Sequence, residues 1–222
     1  MSSSAIKLVL VGQGGVGKTA MVLRYTTGDF NEQYMPTIGD MYTKDVEVFG
    51  APRHIEIDDT AGQEAYADLK REKLGTGDGY FLVYSITDDT TFGKLDRVRE
   101  EILKAHGQPV PVAGAKTSDP PSAPKVPIVL VGTKADLSSD RAVSEKERNA
   151  KARAWGCKSF EVSAKTNTGV AELFDALISD IVGGAGNEKG ASGGSVLGAG
   201  MRVQGMGLPQ LEPSKRKACS IQ

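Results

Sequence analysis

The chain has 222 residues, 39% hydrophobic and 25% charged, with a formal net charge of −1, the make-up of one α/β domain of ordinary size plus a tail. That balance excludes a global basic field for nucleic acid, and two cysteines exclude a disulfide framework. No apolar run reaches the roughly 20 residues of a membrane span or the length of a signal-peptide core, which leads us to expect a chain made and kept in the cytoplasm.

In chain order, the first apolar run is Ile6–Val11, interrupted only by Lys7 and ending at Gly12. It predicts a buried strand. Gly12-Gln13-Gly14-Gly15-Val16-Gly17-Lys18-Thr19 follows, fitting G-x-x-x-x-G-K-[ST] between that strand and a predicted helix over Lys18–Thr27. Glycines permit backbone angles closed to other residues and let main-chain N–H groups approach phosphates. The helix N-terminus adds its positive end. Lys18 supplies a point charge to the β and γ phosphates, and the Thr19 hydroxyl suits Mg²⁺, which prefers oxygen donors. Gly12–Thr19 therefore reads as a phosphate-binding loop.

Val46–Phe49 and His54–Ile57 alternate apolar and polar residues around Gly50–Arg53, predicting an antiparallel hairpin. Phe81–Ile86, Val126–Val131 and Phe160–Val162 are near-continuous apolar runs, as in parallel strands covered on both faces. Helical spacing appears over Phe92–Lys104, over Val170–Ile181, and over Ser144–Trp155, where Ser144 and Glu147 form a capping box. The alternation predicts a doubly wound α/β fold: a six-stranded, mostly parallel sheet with one antiparallel edge strand and helices on both faces. Gly107–Pro127 holds six of the ten prolines and reads as an irregular surface loop. Gly183–Gly207 is rich in Gly and Ser and reads as a flexible linker. We expect a domain over 1–182 and a tail over 183–222.

Phosphate binding does not choose the base, and further motifs bear on that choice. Asp59-Thr60-Ala61-Gly62-Gln63, Thr133-Lys134-Ala135-Asp136 and Ser163-Ala164-Lys165 occur in the order and spacing of small GTPases. With the phosphate loop they make residues 5–182 resemble the Ras family. The resemblance implies a P-loop fold, GTP as substrate, GDP and phosphate as products, and Mg²⁺ as cofactor. Phosphates would be held by Gly14, Gly15, Val16, Gly17, Lys18 and Thr19. Asp136 would accept the N1–H and N2–H₂ donors that guanine has and adenine lacks. Lys134 would lie along the base, Ala164 N–H would donate to O6, and Phe30, Thr133, Ser163 and Lys165 would complete the guanine site. Thr133 stands where Ras has Asn, a substitution familiar from the Rho branch, and part of the Asn's bridging hydrogen bonding is expected to be lost.

The resemblance further assigns Mg²⁺ to Thr19, Thr37 and, through water, Asp59. It assigns catalysis to Gln63, Lys18, Thr37 and Gly62, with Gln63 orienting the attacking water. The chain has no obvious internal arginine finger, so slow intrinsic hydrolysis and a GTPase-activating protein are expected, alongside an exchange factor and effectors. An effector loop would run through Tyr34, Met35, Pro36, Thr37, Ile38, Gly39, Asp40, Met41 and Tyr42. Met35 and Gly39 replace acidic residues of Ras, so partners that read Ras by charge are expected to bind poorly. Two other readings stay open: a GTPase-like module that barely hydrolyses, and an ATP-using P-loop enzyme.

The charge is uneven along the chain: from Gly183 onward five Lys or Arg face two Glu, giving +3, and the body carries −4. The last four residues, Cys219-Ser220-Ile221-Gln222, fit C-a-a-X although Ser220 is not aliphatic, and the terminal Gln points to farnesylation. One prenyl chain anchors only marginally. Lys215, Arg216 and Lys217 lie just upstream and supply a second signal, about 1 kcal/mol each at an anionic leaflet. The expected location is the cytoplasmic face of the cell membrane, the plasma membrane above all.

Overall fold

The computed structural model describes residues 5–32, 37, 39–60, 74–110 and 126–186. Six strands form one sheet: β1 Ile6–Val11, β2 Gly39–Val48, β3 Ala51–Thr60, β4 Gly79–Ser85, β5 Ile128–Thr133 and β6 Lys158–Glu161. Their order is β2-β3-β1-β4-β5-β6, and only β2 runs antiparallel. The helices are α1 Lys18–Thr26, α2 Asp89–Gly93, α3 Leu95–Ala105, α4 Glu145–Trp155 and α5 Val170–Gly186. All described residues fall in one unit, Met1–Lys189.

Alternation along the central strands explains their continuous apolar runs. Leu8, Leu10, Phe81, Val83, Val129 and Val131 face one core, shared with α1 and α5 through Met21, Val22, Phe174 and Leu177. Val9, Val11, Tyr80, Leu82, Tyr84 and Leu130 face the other, shared with α3 and α4 through Ile102, Leu103 and Trp155. Close approach is built into Gly79, where a Cβ would sit 2.8 Å from Ile181 Cδ1 on α5.

Three expected elements differ in extent. The hairpin is longer than its alternating part, Gly39–Val48 paired with Ala51–Thr60, and it turns at Phe49 and Gly50, both at positive φ (50° and 76°). Pro52 lies inside β3, in the part that extends beyond β1, whose pairing begins at Ile55. There one edge of β3 has no partner strand, so a missing N–H is tolerated. The helix expected over Phe92–Lys104 is two helices meeting at Lys94, with Asp88 capping the first through Thr90 N–H. α5 continues past Ile181 to Gly186, so residues 183–186, expected to belong to the linker, are helical. The capping box at Ser144 forms as expected, with Ser144 N–H donating to Glu147 Oε2 at 2.9 Å and Glu147 N–H to Ser144 Oγ at 3.2 Å.

Of the Gly107–Pro127 loop, residues 111–125 lie outside the described residues, as do residues 187–222 with Cys219 and the basic run. Among the described residues, no helix is long and apolar enough to cross a membrane.

Candidate nucleotide-binding site

The phosphate loop leaves the end of β1 and enters α1. At Gly12 a Cβ would lie 2.2 Å from the Val83 carbonyl oxygen of β4, so the loop can pass the sheet only as glycine. Gly15 and Gly17 take positive φ (75° and 96°), which L-residues rarely adopt. Gly17 is the N-cap of α1 and no side chain caps that end, nor is there an acidic residue in its first turn. α2 and α4 both use capping side chains. An uncapped N-terminus leaves its N–H groups and positive dipole end to an anion. Lys18 is buried, and its Nζ donates to the Gly12 and Gln13 carbonyls at 3.0 and 2.9 Å. The ammonium is thereby fixed at the mouth of the loop it charges.

Three oxygen-bearing side chains meet beside Lys18. Thr19 Oγ1 lies 2.7 Å from Thr37 Oγ1 and donates to Asp59 Oδ2 at 2.5 Å. Burial pushes the Asp59 carboxyl up, opposed by the Thr19 hydroxyl and the Lys18 charge. Its other oxygen, Oδ1, is buried with no hydrogen-bond partner among the described residues. A hard cation that takes carboxylate, hydroxyl and phosphate oxygens would satisfy that orphan, so the donor set fits Mg²⁺.

At the other end, Lys134 sits in the left-handed region (φ 61°) at the entry of the 3₁₀ segment Ala135–Asp140. Backbone bonds from Ala135 N–H to Val162 O (3.1 Å) and from Val162 N–H to Gly132 O (2.8 Å) join the two loops expected to hold a base. Ser163 pairs with Thr168 in both directions, closing its loop, and Ser163 Oγ donates to Asp136 Oδ1 at 2.5 Å. Asp136 itself is exposed, so its discrimination between bases depends on a base covering it.

At Thr133, where part of the Asn's bridging hydrogen bonding is expected to be lost, one hydroxyl stands at the seam of loop and sheet. Thr133 is buried, and its Oγ1 lies on the Val16 carbonyl of the phosphate loop and, at 2.9 Å, on the Tyr84 carbonyl of β4. The hydroxyl thus lies between the loop and the sheet, with one proton for the two carbonyls.

Thr19, Thr37 and Asp59 are thus brought together, as are Thr133, Asp136, Ser163, Ala164 and Lys165. Phe30 lies half-buried beside Arg24, whose Cζ is 5.7 Å from the ring centroid. Gly39, Asp40, Met41 and Tyr42 form the start of edge strand β2, with Met41 exposed. Tyr34, Met35, Pro36, Ile38, Gly62 and Gln63 lie outside the described residues.

Sequence reasoning missed five residues that hold this site. Arg24 donates from Nε to Ala164 O at 2.7 Å. Glu32 pairs with Lys165 at 2.8 Å, which holds its carboxyl below the usual range. Arg141 grips Glu161 with two bonds of 2.7 Å, and Arg148 reaches the same carboxylate at 3.0 Å. Each contact joins distant segments, and no local pattern announces it.

A phosphate loop, a hydroxyl–carboxylate cluster at its mouth and an acidic loop at the base end are the parts of a guanine-nucleotide site. The sequence model of the Ras family matches residues 7–183. The chain is also similar to "Protein ras-2" of Neurospora crassa, 39% identical over 180 residues, covering 79% of this chain and 78% of that protein. The chain belongs to the Ras family. It is a small GTPase, an enzyme that hydrolyses GTP, on the six-stranded fold described above.

Proposed function

We propose that this GTPase is a GTP/GDP-regulated switch, working at the cytoplasmic face of a membrane through a prenylated Cys219. The observation that carries the switch is the meeting of Thr19, Thr37 and Asp59 beside Lys18. Thr37 comes from the segment between α1 and β2, so a γ-phosphate held by Lys18 would draw that segment in, and its loss would release it.

In hydrolysis, the oxygen of a water forms a bond to the γ-phosphorus. The bond from that phosphorus to the β–γ bridging oxygen breaks, and GDP leaves with the electron pair. One of the water's protons stays on the attacking oxygen and the other passes to another oxygen of the phosphate released. Gln63 orients the water, Gly62 N–H contacts the γ-phosphate, and Lys18 with the Gly14–Gly17 backbone bears the charge that moves toward the leaving oxygen. Mg²⁺ held by Thr19, Thr37 and Asp59 would supply further neutralisation of the phosphate oxygens. Asp136, Ala164, Lys134, Ser163, Lys165 and Phe30 select guanine. An exchange factor, an activating protein and effectors complete the cycle, the last reading Tyr34–Tyr42, where Met35 and Gly39 depart from Ras.

The test has two arms. Purified protein should bind GTP in the presence of excess ATP, and Gln63→Leu should keep GTP binding while losing turnover stimulated by an activating protein. Competition by ATP, or unchanged stimulated turnover, refutes the reading. In cells, Cys219→Ser should move the protein from membranes to the soluble fraction; unaltered partitioning refutes the lipid anchor.

A further inference from the structure

Each residue of the Ser163–Lys165 loop is tied to a segment distant from it in the chain. Ser163 is tied to Asp136, Lys165 to Glu32, and Ala164 to α1 through Arg24. The Arg24 contact is the most extensive. Its Nε donates to Ala164 O at 2.7 Å, its Nη2 to Lys165 O at 3.3 Å, and its Nη1 to Gly28 O in the turn that follows α1. The same guanidinium stands over Phe30. A planar fork with fixed donors can hold three carbonyls from two segments at once, which a point charge cannot. α1 also carries Lys18 and Thr19, so one rigid helix has the phosphate ligands at its start and a grip on the base loop at its end.

We propose that Arg24 is a positioning residue that latches the base loop shut and thereby sets the rate at which guanine nucleotide leaves. The inference rests on the reading of Ser163–Lys165 as the base loop. In a trans peptide the Lys165 N–H points opposite to the Ala164 carbonyl, so the Arg24 bond fixes the orientation of that peptide as well as the loop's distance from α1. Release requires the loop to part from α1, and parting breaks two charge-assisted bonds whose acceptors lie on consecutive residues. The Lys165–Glu32 pair is exposed and adds less.

The experiment is a chase of a fluorescent GDP analogue from the full chain. Arg24→Ala should release it about ten-fold faster, as expected for losing charge-assisted bonds at a half-buried site. The factor should be the same with Mg²⁺ present and chelated, because the latch acts at the base end. Arg24→Lys should restore release only in part, and Arg24→Gln, which keeps a planar donor, should fold even where Ala fails. Release from Arg24→Ala and Arg24→Gln within about two-fold of the unaltered chain overturns the latch. So does an acceleration that vanishes on chelation, since that places the effect at the phosphates. Asp136→Ala tests the underlying reading separately. If it keeps its preference for GDP over ADP, the base site is wrong; if it loses that preference while the Arg24 variants release normally, only the latch is wrong.

Discussion

Thr133→Val isolates one hydroxyl at the seam between the phosphate loop and the sheet. Thr133 is 4% exposed, and its Oγ1 lies on the carbonyls of Val16 and Tyr84. A hydroxyl has one proton, so the substitution removes one hydrogen bond and leaves a buried carbonyl unsatisfied at a cost of about 1–3 kcal/mol. Valine fills nearly the same volume, so little is added for packing. Part of the loss falls on the fold. The rest falls on nucleotide binding, because the Gly17 N–H points opposite to the Val16 carbonyl across their shared trans peptide, and Thr133 keeps that N–H turned to the phosphate side. With about 1–2 kcal/mol appearing at the nucleotide, GDP affinity should fall about 5- to 30-fold. Titration with a fluorescent GDP analogue and urea unfolding of the nucleotide-free chain measure the two parts. Thr133→Ser should keep most of both. A Val variant whose affinity and unfolding midpoint both match the unaltered chain would refute the bridge.

Glu161→Gln should flatten the acid side of the stability curve. The Arg141 hydrogen bonds hold the Glu161 carboxyl below its ordinary 4.5, against the opposing effect of burial. A depressed carboxyl contributes stability that is fully present above 4.5 and is lost as pH falls through its lower folded value. Melting temperatures across acid pH should therefore converge between variant and unaltered chain at the low end and differ at neutral pH; parallel curves would contradict this. At the Thr19–Asp59 cluster, chelation should speed GDP release from the unaltered chain, whereas Asp59→Asn, lacking the charged oxygen that would hold a cation, should release fast with or without chelator. A chelator response undiminished in that variant would remove Asp59 from the cation's ligands.

The phosphate loop was legible in the sequence because its constraints are local. Gly12, Gly15 and Gly17 answer to a passing carbonyl or to their own φ, and the flanking strand and helix are neighbours in the chain. The hairpin was legible only where it is half-buried. Residues 39–45 of β2 alternate less clearly because an edge strand exposes charged and apolar side chains alike, Met41 among them. The break at Lys94 was hidden because apolar spacing runs on through it. The extension of α5 was hidden for the opposite reason. Glycines 183 and 184 argue against helix one by one, yet a helix already nucleated and packed propagates across them. The residues that brace the base loops, Arg24 with Ala164 and Arg141 with Glu161, lie 140 and 20 positions apart. Such pairs are decided by tertiary packing and carry no periodic or motif signature.

The two ends of the site differ in what holds them. At the phosphate end the backbone is committed by sterics: a Cβ at Gly12 collides with β4, and Val16 is braced by a buried Thr133. Sterics and a buried bond persist with or without a ligand, so this end is pre-organised, and phosphate binding need not first order it. The base end is held by side-chain bonds to carbonyls and by an exposed ion pair, Arg24 to Ala164 and Lys165 to Glu32. These break singly and without opening the core. Opening the base end therefore means breaking side-chain contacts, the part-buried bond from Arg24 to Ala164 O among them, whereas opening the phosphate end means moving backbone fixed by sterics.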